Sequence, residues 1–397
     1  MNAAIQLSLF DLQAIYRDNS GEPVSNEQVY SLLARSKGVE RIAFDQKLPI
    51  GKSACPHSPL KRKVRWYQQT LKHLGVIEQT GRGLWRLSQE EGSLHVIPAK
   101  LSLLAFSTDL GFALWSNASI FKSLNEPIHL CITSPPYPLK KARQYGNVEE
   151  AKWVKFLCAS LEPIVRNMVA GGSLVLNVTN DIFESKSPAR SLYLERLILA
   201  LHDNLGLHLM DRIPWINDSK PPAPTYWACV KRYQLATSWE PVLWFTNDPV
   251  RVRSDNRRVL QPHTEKHQKF LAEGGNKRVA EYGDGAYKLR PGSFSRQTEG
   301  KIPKNRLALG HRCKDTLAIR NEAKLKGLPP HPAMFPTTLP EFFIRFLTAE
   351  NELVVDPFAG SFKSCLAAER LGRRWIGTER VLEYVEQANG VFCNSPH

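Results

Sequence analysis

No Cys-x-x-Cys pair occurs anywhere in this chain. The seven cysteines are scattered, which argues against both a disulfide framework and a zinc site, so no metal is expected. No apolar run is long enough to span a bilayer, and neither a secretory leader nor a basic amphipathic anchor is visible. No membrane partner is therefore expected, and cytoplasmic residence is the default. Internal repeats and long low-complexity tracts are also missing. Acidic residues are scarce: 38 stand against 53 lysines and arginines, a formal net charge of +15 over 397 residues. Such an excess draws the chain to phosphate backbones and speeds encounter, but it specifies neither a sequence nor a chemistry. An anionic membrane surface is the competing explanation for the charge. The length allows two or three domains with well-buried cores.

What is present centres on two short strings. Ile128 to Thr133 reads as a buried strand that runs into Ser134-Pro135-Pro136-Tyr137. The two prolines forbid further ladder hydrogen bonds and leave the Ser134 side chain and nearby carbonyls at the strand's carboxyl end. Far downstream, Leu353-Val354-Val355 reads as a second buried strand leading into Asp356-Pro357-Phe358-Ala359-Gly360-Ser361. A helix from Lys363 to Leu371 should follow and stop at Gly372. Trp375 to Thr378 then forms a third strand ending in Glu379, 23 residues beyond Asp356. That spacing suits an acid at the tip of the next strand, reaching ribose hydroxyls as in nucleotide-binding sheets. Either string alone could be an ordinary proline turn or strand exit. Their order, both after buried strands, is what makes the pair informative.

Taken together, these residues resemble the DNA amino-methyltransferases of the beta class. There a Ser/Asn/Asp-Pro-Pro-Tyr segment precedes the cofactor segment, as it does here. The resemblance runs from about Phe112 to Asn389. It includes the His331 to Pro336 entry to a helix, the Gly171-Gly172 turn into a core strand, and the Glu240-Pro241 strand. It implies an α/β fold: a Rossmann-like, doubly wound methyltransferase sheet with permuted motif order. It also implies S-adenosyl-L-methionine as methyl donor and double-stranded DNA as substrate. By the same resemblance, Ser134, Pro135, Pro136 and Tyr137 are catalytic. Asp356, Phe358, Gly360, Ser361, Glu379, Asn117 and Phe335 line the cofactor. The target base is extruded from the duplex, Tyr137 stacks on it, and Ser134 and the Pro135 carbonyl accept hydrogen bonds from its exocyclic amine. A serine at the first position is the family pattern for cytosine N4, with adenine N6 the alternative. A restriction-modification role follows by analogy, with a cognate restriction endonuclease as partner and the enzyme associated with the nucleoid.

Two departures stand out. Gly360-Ser361-Phe362-Lys363-Ser364 replaces the family's Gly-Ser-Gly-Thr-Thr, and Asn117 stands where the family has an aspartate near the adenine ring. Both features suit a second reading, a DNA-binding regulator with a degenerate methyltransferase fold. Methylation of RNA is a third.

Outside the sheet, residues 1–100 read as a winged-helix-like DNA-binding domain. Asn26 to Ser36 and Lys61 to Gly75 are helices, the second basic through Lys61, Arg62, Lys63 and Arg65. Val76 to Gln79 and Leu84 to Leu87 flank Thr80-Gly81-Arg82-Gly83 as a hairpin with Arg82 at its tip. A protein-interaction module is the alternative. Residues 101–248 and 331–397 make the catalytic and cofactor-binding halves of the methyltransferase domain. Residues 249–330, rich in basic residues such as Arg257 and Arg258, are the inserted target-recognition region. A disordered basic linker is the alternative there, though Phe270, Tyr282, Tyr287 and Phe294 could seed packing. The segment from Trp215 to Trp227 reads as a loop over the active site, or as a rigid surface turn.

Overall fold

The computed structural model describes residues 7–19, 22–50, 55–88, 94–139 and 148–393. Its N-terminal unit comprises α1 (Leu9–Asp18), β1 (Val24–Ser25), α2 (Asn26–Ser36), β2 (Leu48–Ile50), β3 (Cys55–His57), α3 (Pro59–His73), β4 (Ile77–Gly81) and β5 (Leu84–Leu87). The helices begin where capping chemistry allows. Ser25 and Gln28 form a capping box at α2, and Ser58 caps α3 with Pro59 in its first turn. Strands β1, β5 and β4 pair in that order, and β2 pairs with β3 as a separate hairpin.

The body is one nine-stranded sheet in the order β14-β10-β11-β9-β8-β15-β16-β7-β6. In chain order it runs through β6 (Leu103–Ser107), β7 (Gly111–Trp115), β8 (Ile128–Thr133), α4 (Glu150–Arg166), β9 (Met168–Asn177), α5 (Tyr193–Leu205), β10 (His208–Ile216) and β11 (Trp239–Thr246). After the inserted region come α6 (Glu265–Ala272), β12 (Ala280–Tyr282), β13 (Tyr287–Leu289), β14 (Leu307–Ala308) and α7 (Lys314–Leu325). The chain then returns with α8 (Thr338–Leu347), β15 (Leu353–Asp356), α9 (Lys363–Arg370), β16 (Arg374–Glu379) and α10 (Leu382–Cys393). Strands β9, β8, β15, β16 and β7 are mutually parallel, while β11 beyond β9 runs antiparallel to them and β10, antiparallel to β11, resumes their direction.

The central strands alternate between two apolar layers. Leu130, Ile132 and Val354 face the layer that holds α8, α9 and α10, and Cys131, Leu353 and Val355 face the layer of α4 and α5. Trp153, Leu157, Leu161, Leu197 and Leu201 are fully buried in the second layer. At ~2 kcal/mol or more per large side chain, burial of this kind is what holds helices on both faces of the sheet. From β8 the chain moves outward through α4 to β9, but β15 enters on the other side of β8. The strand order thus reverses between β8 and β15, and a ligand crevice opens outside the carboxyl ends of strands at such a reversal.

The N-terminal unit is tied to the cofactor side of this sheet. Arg17 forms a two-pronged ion pair with buried Glu386 on α10, at 2.6 and 2.9 Å. The connecting segment lies along the turn after β16, where the Ile97 amide donates to the Arg380 carbonyl at 2.9 Å and Val96 bridges to Val381.

The inserted region differs from expectation. Tyr282, Tyr287 and Phe294 are all more than half exposed, and α6 has no buried residue. The aromatics do not make a core because β12 and β13 pair only with each other. Only β14 reaches the main sheet, pairing with β10 through Trp215 and Ile216.

Candidate active site

The two strings meet because β8 and β15 are neighbours, with Cys131 opposite Val355. Thr133, the last residue of β8, donates its hydroxyl to Asp356 Oδ1 at 2.6 Å. Asp356 also accepts from the Phe358 amide at 3.0 Å and from the Ser364 hydroxyl. It is almost wholly buried, and burial pushes its carboxyl up to about 6 despite those three donors. Glu379 ends the next strand, as its spacing implied. It accepts three backbone N–H groups, from Gly360 at 2.9 Å, Arg380 at 2.8 Å and Val381 at 2.9 Å. Burial pushes it up to about 7 against the pull of those amides, and the charge of Asp356 adds to the rise.

Gly360 leaves room for a neighbour within the chain, His331. The glycine's φ is +53°, and a Cβ there would stand 2.7 Å from His331 Nε2. His331 in turn packs edge-on against Tyr384, with ring centroids 4.5 Å apart. Ser361 is buried beside it. Phe358 is half-buried, its ring 6.0 Å from Phe156 of α4. Phe335 is half-buried too, packed against the core in front of α8.

On the catalytic strand, Ser134 Oγ and Tyr137 Oη are 2.8 Å apart. Pro135 is buried, and the Pro136 carbonyl is held by Trp153 Nε1 at 2.6 Å. Sequence reasoning missed Asn177, at the end of β9. It is 4 % exposed, its side-chain oxygen lies 3.4 Å from Tyr137 Oη, and its Nδ2 has no hydrogen-bond partner among the described residues. A polar residue closing a strand next to the catalytic one was the available signal.

The turn after Gly360 resolves one departure. Phe362 takes the left-handed conformation that glycine adopts readily, with φ +57°. Its ring is fully buried 5.9 Å from that of Phe106, in the space left by Gly377, where a Cβ would come within 2.7 Å of the ring. The substitution thus fills the core behind the turn. Lys363, also missed, is buried and donates to the Phe335 carbonyl at 2.9 Å and to Thr316, so it fastens the segment carrying Phe335.

Asn117 departs from its expected role. Its amide nitrogen donates to the Ala99 carbonyl at 2.8 Å, and its side-chain oxygen accepts the Ser119 amide at 2.8 Å. The oxygen caps the turn that starts at Ala118, which is what asparagine does well before a helical turn, and the nitrogen ties that turn to the segment before β6.

The basic residues also divide. Lys61 is ion-paired to Asp45 at 2.6 Å and lies over the Tyr30 ring. Lys63 is half-buried over the Tyr67 ring. Neither belongs to the outward face of α3, because in a helix whose buried side is Val64, Tyr67, Gln68 and Leu71 those two positions flank the core. Arg62 and Arg65 are exposed on the far side with Trp66, and Arg82 is exposed at the hairpin tip. Arg257 is exposed but clamped to Asp255 at 2.7 Å, whereas Arg258 is exposed with one long contact to the Arg253 carbonyl.

Comparison with known proteins decides the reading of this edge. Residues 128–390 match the family model for N6/N4 methyltransferases, described as DNA methylase. The chain belongs to the DNA methylase family. Members take the methyl group from S-adenosyl-L-methionine. This methyltransferase is 33 % identical to the type II methyltransferase M.PvuII of Proteus hauseri over 261 residues, 66 % of this chain and 76 % of that one. It is 25 % identical to M.BglII of Bacillus subtilis over 272 residues, 68 % of this chain and 64 % of that one. The solved structure titled PvuII DNA methyltransferase (cytosine-N4-specific) superposes with a TM-score of 0.57 at 28 % identity, covering 74 % of this chain and 90 % of that one.

The residues fit the cofactor by their donor chemistry. Two carboxylates at adjacent strand ends, both held above their ordinary range, are under-compensated by this chain's own groups, which suits a ligand bearing sulfonium and ammonium charges. Among the described residues no cluster of His, Cys, Asp or Glu could hold a metal, and no helix is long and apolar enough to cross a membrane.

Proposed function

We propose that this methyltransferase modifies the N4 amine of cytosine in double-stranded DNA, as the modification half of a restriction-modification pair. The observation that supports the reading is the Thr133–Asp356 hydrogen bond, which holds the end of the strand leading into Ser134 against the end of the strand carrying Asp356. S-adenosyl-L-methionine supplies an electrophilic methyl when bound. Asp356 and Glu379 would hold its charged and ribose groups, Phe358 and Phe335 would wall it, and Gly360 and Ser361 would let the turn approach. Ser134 Oγ and the Pro135 carbonyl accept hydrogen bonds from the two amine N–H groups and so orient the nitrogen lone pair for transfer, and the nitrogen gives up one proton to solvent once the new N–C bond has formed. Those acceptors favour the transition state as positive charge grows on nitrogen. Tyr137 stacks on the extruded base. No cysteine nucleophile is required.

Residues 1–100 act as a winged-helix DNA-binding domain in this reading. The support is the order of helices and hairpin together with the outward face of Arg62, Arg65 and Trp66 on α3 and Arg82 on the tip. Residues 249–330, with Arg258 exposed, read the target sequence. A cognate restriction endonuclease that cuts the same site is the partner, and nucleoid association follows from DNA binding. The regulator reading has one observation in its favour, the occupied side chain of Asn117.

The test is mass spectrometry of nucleosides after incubation of DNA with labelled cofactor. N4-methylcytosine is the expected product, and N6-methyladenine alone would overturn the base assignment. Absence of cofactor binding by calorimetry would favour the regulator.

A further inference from the structure

Segment 217–238 joins β10 to β11 over the carboxyl edge of the sheet. Its position follows from register, since β11 starts where β9 ends, with Val242 opposite Asn177. The base of the segment is well fastened. The Asn217 amide donates to the Ser238 carbonyl at 2.7 Å, Lys220 pairs with Glu240 at 3.0 Å, and Thr237 donates to Asp181 at 2.8 Å. Above this footing the chain makes a single π-helical turn, Thr225–Val230, an uncommon conformation that concentrates at functional sites. The turn carries large side chains into water. Tyr226 is 52 % exposed and Tyr233 68 %. Trp227 lies between them, edge-on to Tyr226 at 4.8 Å and parallel to Tyr233 at 6.3 Å. Lys231 stands 5.8 Å over the Tyr226 ring, and Arg232 beside it is exposed.

Nothing in the methyl-transfer chemistry uses these groups. A contiguous aromatic patch held on a rigid base marks a contact surface, and the flanking cations say what kind. Extruding a base leaves a gap in the stack, which side chains inserted from the protein can fill while cations meet the adjoining phosphates. Aromatic faces stack on any base, so such a contact acts without reading sequence. We propose that Tyr226 and Tyr233, backed by Trp227, stack against the DNA bases that border the extruded target, with Lys231 and Arg232 on the neighbouring phosphates. The segment is a strand-opening wedge beside the catalytic pocket, and the proposal rests on the base-extrusion reading given above.

A wedge lowers the cost of opening a base pair, so its loss should matter only when the pair must be opened. The experiment compares two duplexes carrying the site mapped from methylated plasmid DNA, one with the target cytosine paired and one with it opposite an abasic position. The Y226A/Y233A variant should lose roughly 10- to 100-fold in kcat/KM on the paired duplex, in line with the worth of a base–aromatic stack. On the unpaired duplex the loss should be under about threefold, with cofactor affinity unchanged. Equal losses on both duplexes, or no loss on either, would overturn the wedge. A Y226L/Y233L variant, which keeps apolar volume without the rings, replaces the alanine pair if cofactor affinity falls, and it should show the same split. If the unmodified enzyme methylates cytosine in neither duplex, it is the functional reading that fails instead.

Discussion

If Asp356 and Glu379 meet the cofactor as proposed, its affinity should depend steeply on pH between 5.5 and 7.5, because burial raises both carboxyls into that window. Burial places Asp356 at about 6 and Glu379 at about 7. At pH 7.5 Asp356 is nearly all ionised and Glu379 about three-quarters so; at pH 5.5 the fractions fall to about a quarter and about 3 %. If a cationic ligand needs both in their charged form, the dissociation constant rises roughly 100-fold over those two pH units. The sign for the free protein is opposite. Both folded values lie above the unfolded ones, so each carboxylate destabilises the free fold as pH climbs from about 4 through its own folded value. The penalty is about 3 kcal/mol apiece once fully ionised. Bound cofactor relieves that penalty, so the gain in melting temperature on adding S-adenosyl-L-methionine should grow with pH. Isothermal titration across the range, repeated with Glu379→Gln, tests both halves. A dissociation constant that stays within threefold from pH 5.5 to 7.5, or a variant with the same steep profile as the parent, would refute the assignment of these groups.

Further expectations concern single sites. S134A/Y137A should bind cofactor nearly as the parent does and transfer no methyl group to DNA, so undiminished labelling of DNA would remove the catalytic assignment. Phe362→Ala should cost about 3 to 5 kcal/mol in denaturant unfolding, because it empties a fully buried site beside Gly377; a loss below about 1 kcal/mol would mean that the ring does not support the turn. Asn177→Ala should lower kcat about tenfold or more with cofactor affinity intact, since its oxygen sits by Tyr137; a change in KM alone would place Asn177 in DNA binding. R62A/R65A should weaken duplex binding in proportion at every sequence and reduce the salt slope by about 2, measured by anisotropy at several salt concentrations. An unchanged slope would mean that α3 does not face phosphate.

The parts of the fold that were legible in the sequence are those set by local rules. Ile128 to Thr133 is bounded by prolines, so the observed strand has the bounds expected of it. The helix Asn26–Ser36 likewise has the bounds its amphipathic pattern implied. Asp356 and Glu379 fall at strand ends, as expected, because each follows a short buried run. What the sequence did not disclose depends on partners far along the chain. Lys61 and Arg62 look alike in a basic run, and only the packing of Tyr30 and Asp45 turns one inward. Asn117 reads as a ligand contact until Ala99 is seen beside it. Phe362 looked like the loss of a needed glycine because the room for its ring is made by Gly377, fifteen residues away on another strand.

The strand order has a consequence for synthesis. Strands β15 and β16 sit between β8 and β7 although they are made well after both. Until residues 353–379 have left the ribosome, β8 and β7 each present a bare edge toward a missing centre, and such open edges invite pairing with other chains. A nascent chain that stops short of residue 353 therefore lacks the two strands that carry Asp356 and Glu379, and the sheet closes only when they join β8 and β7.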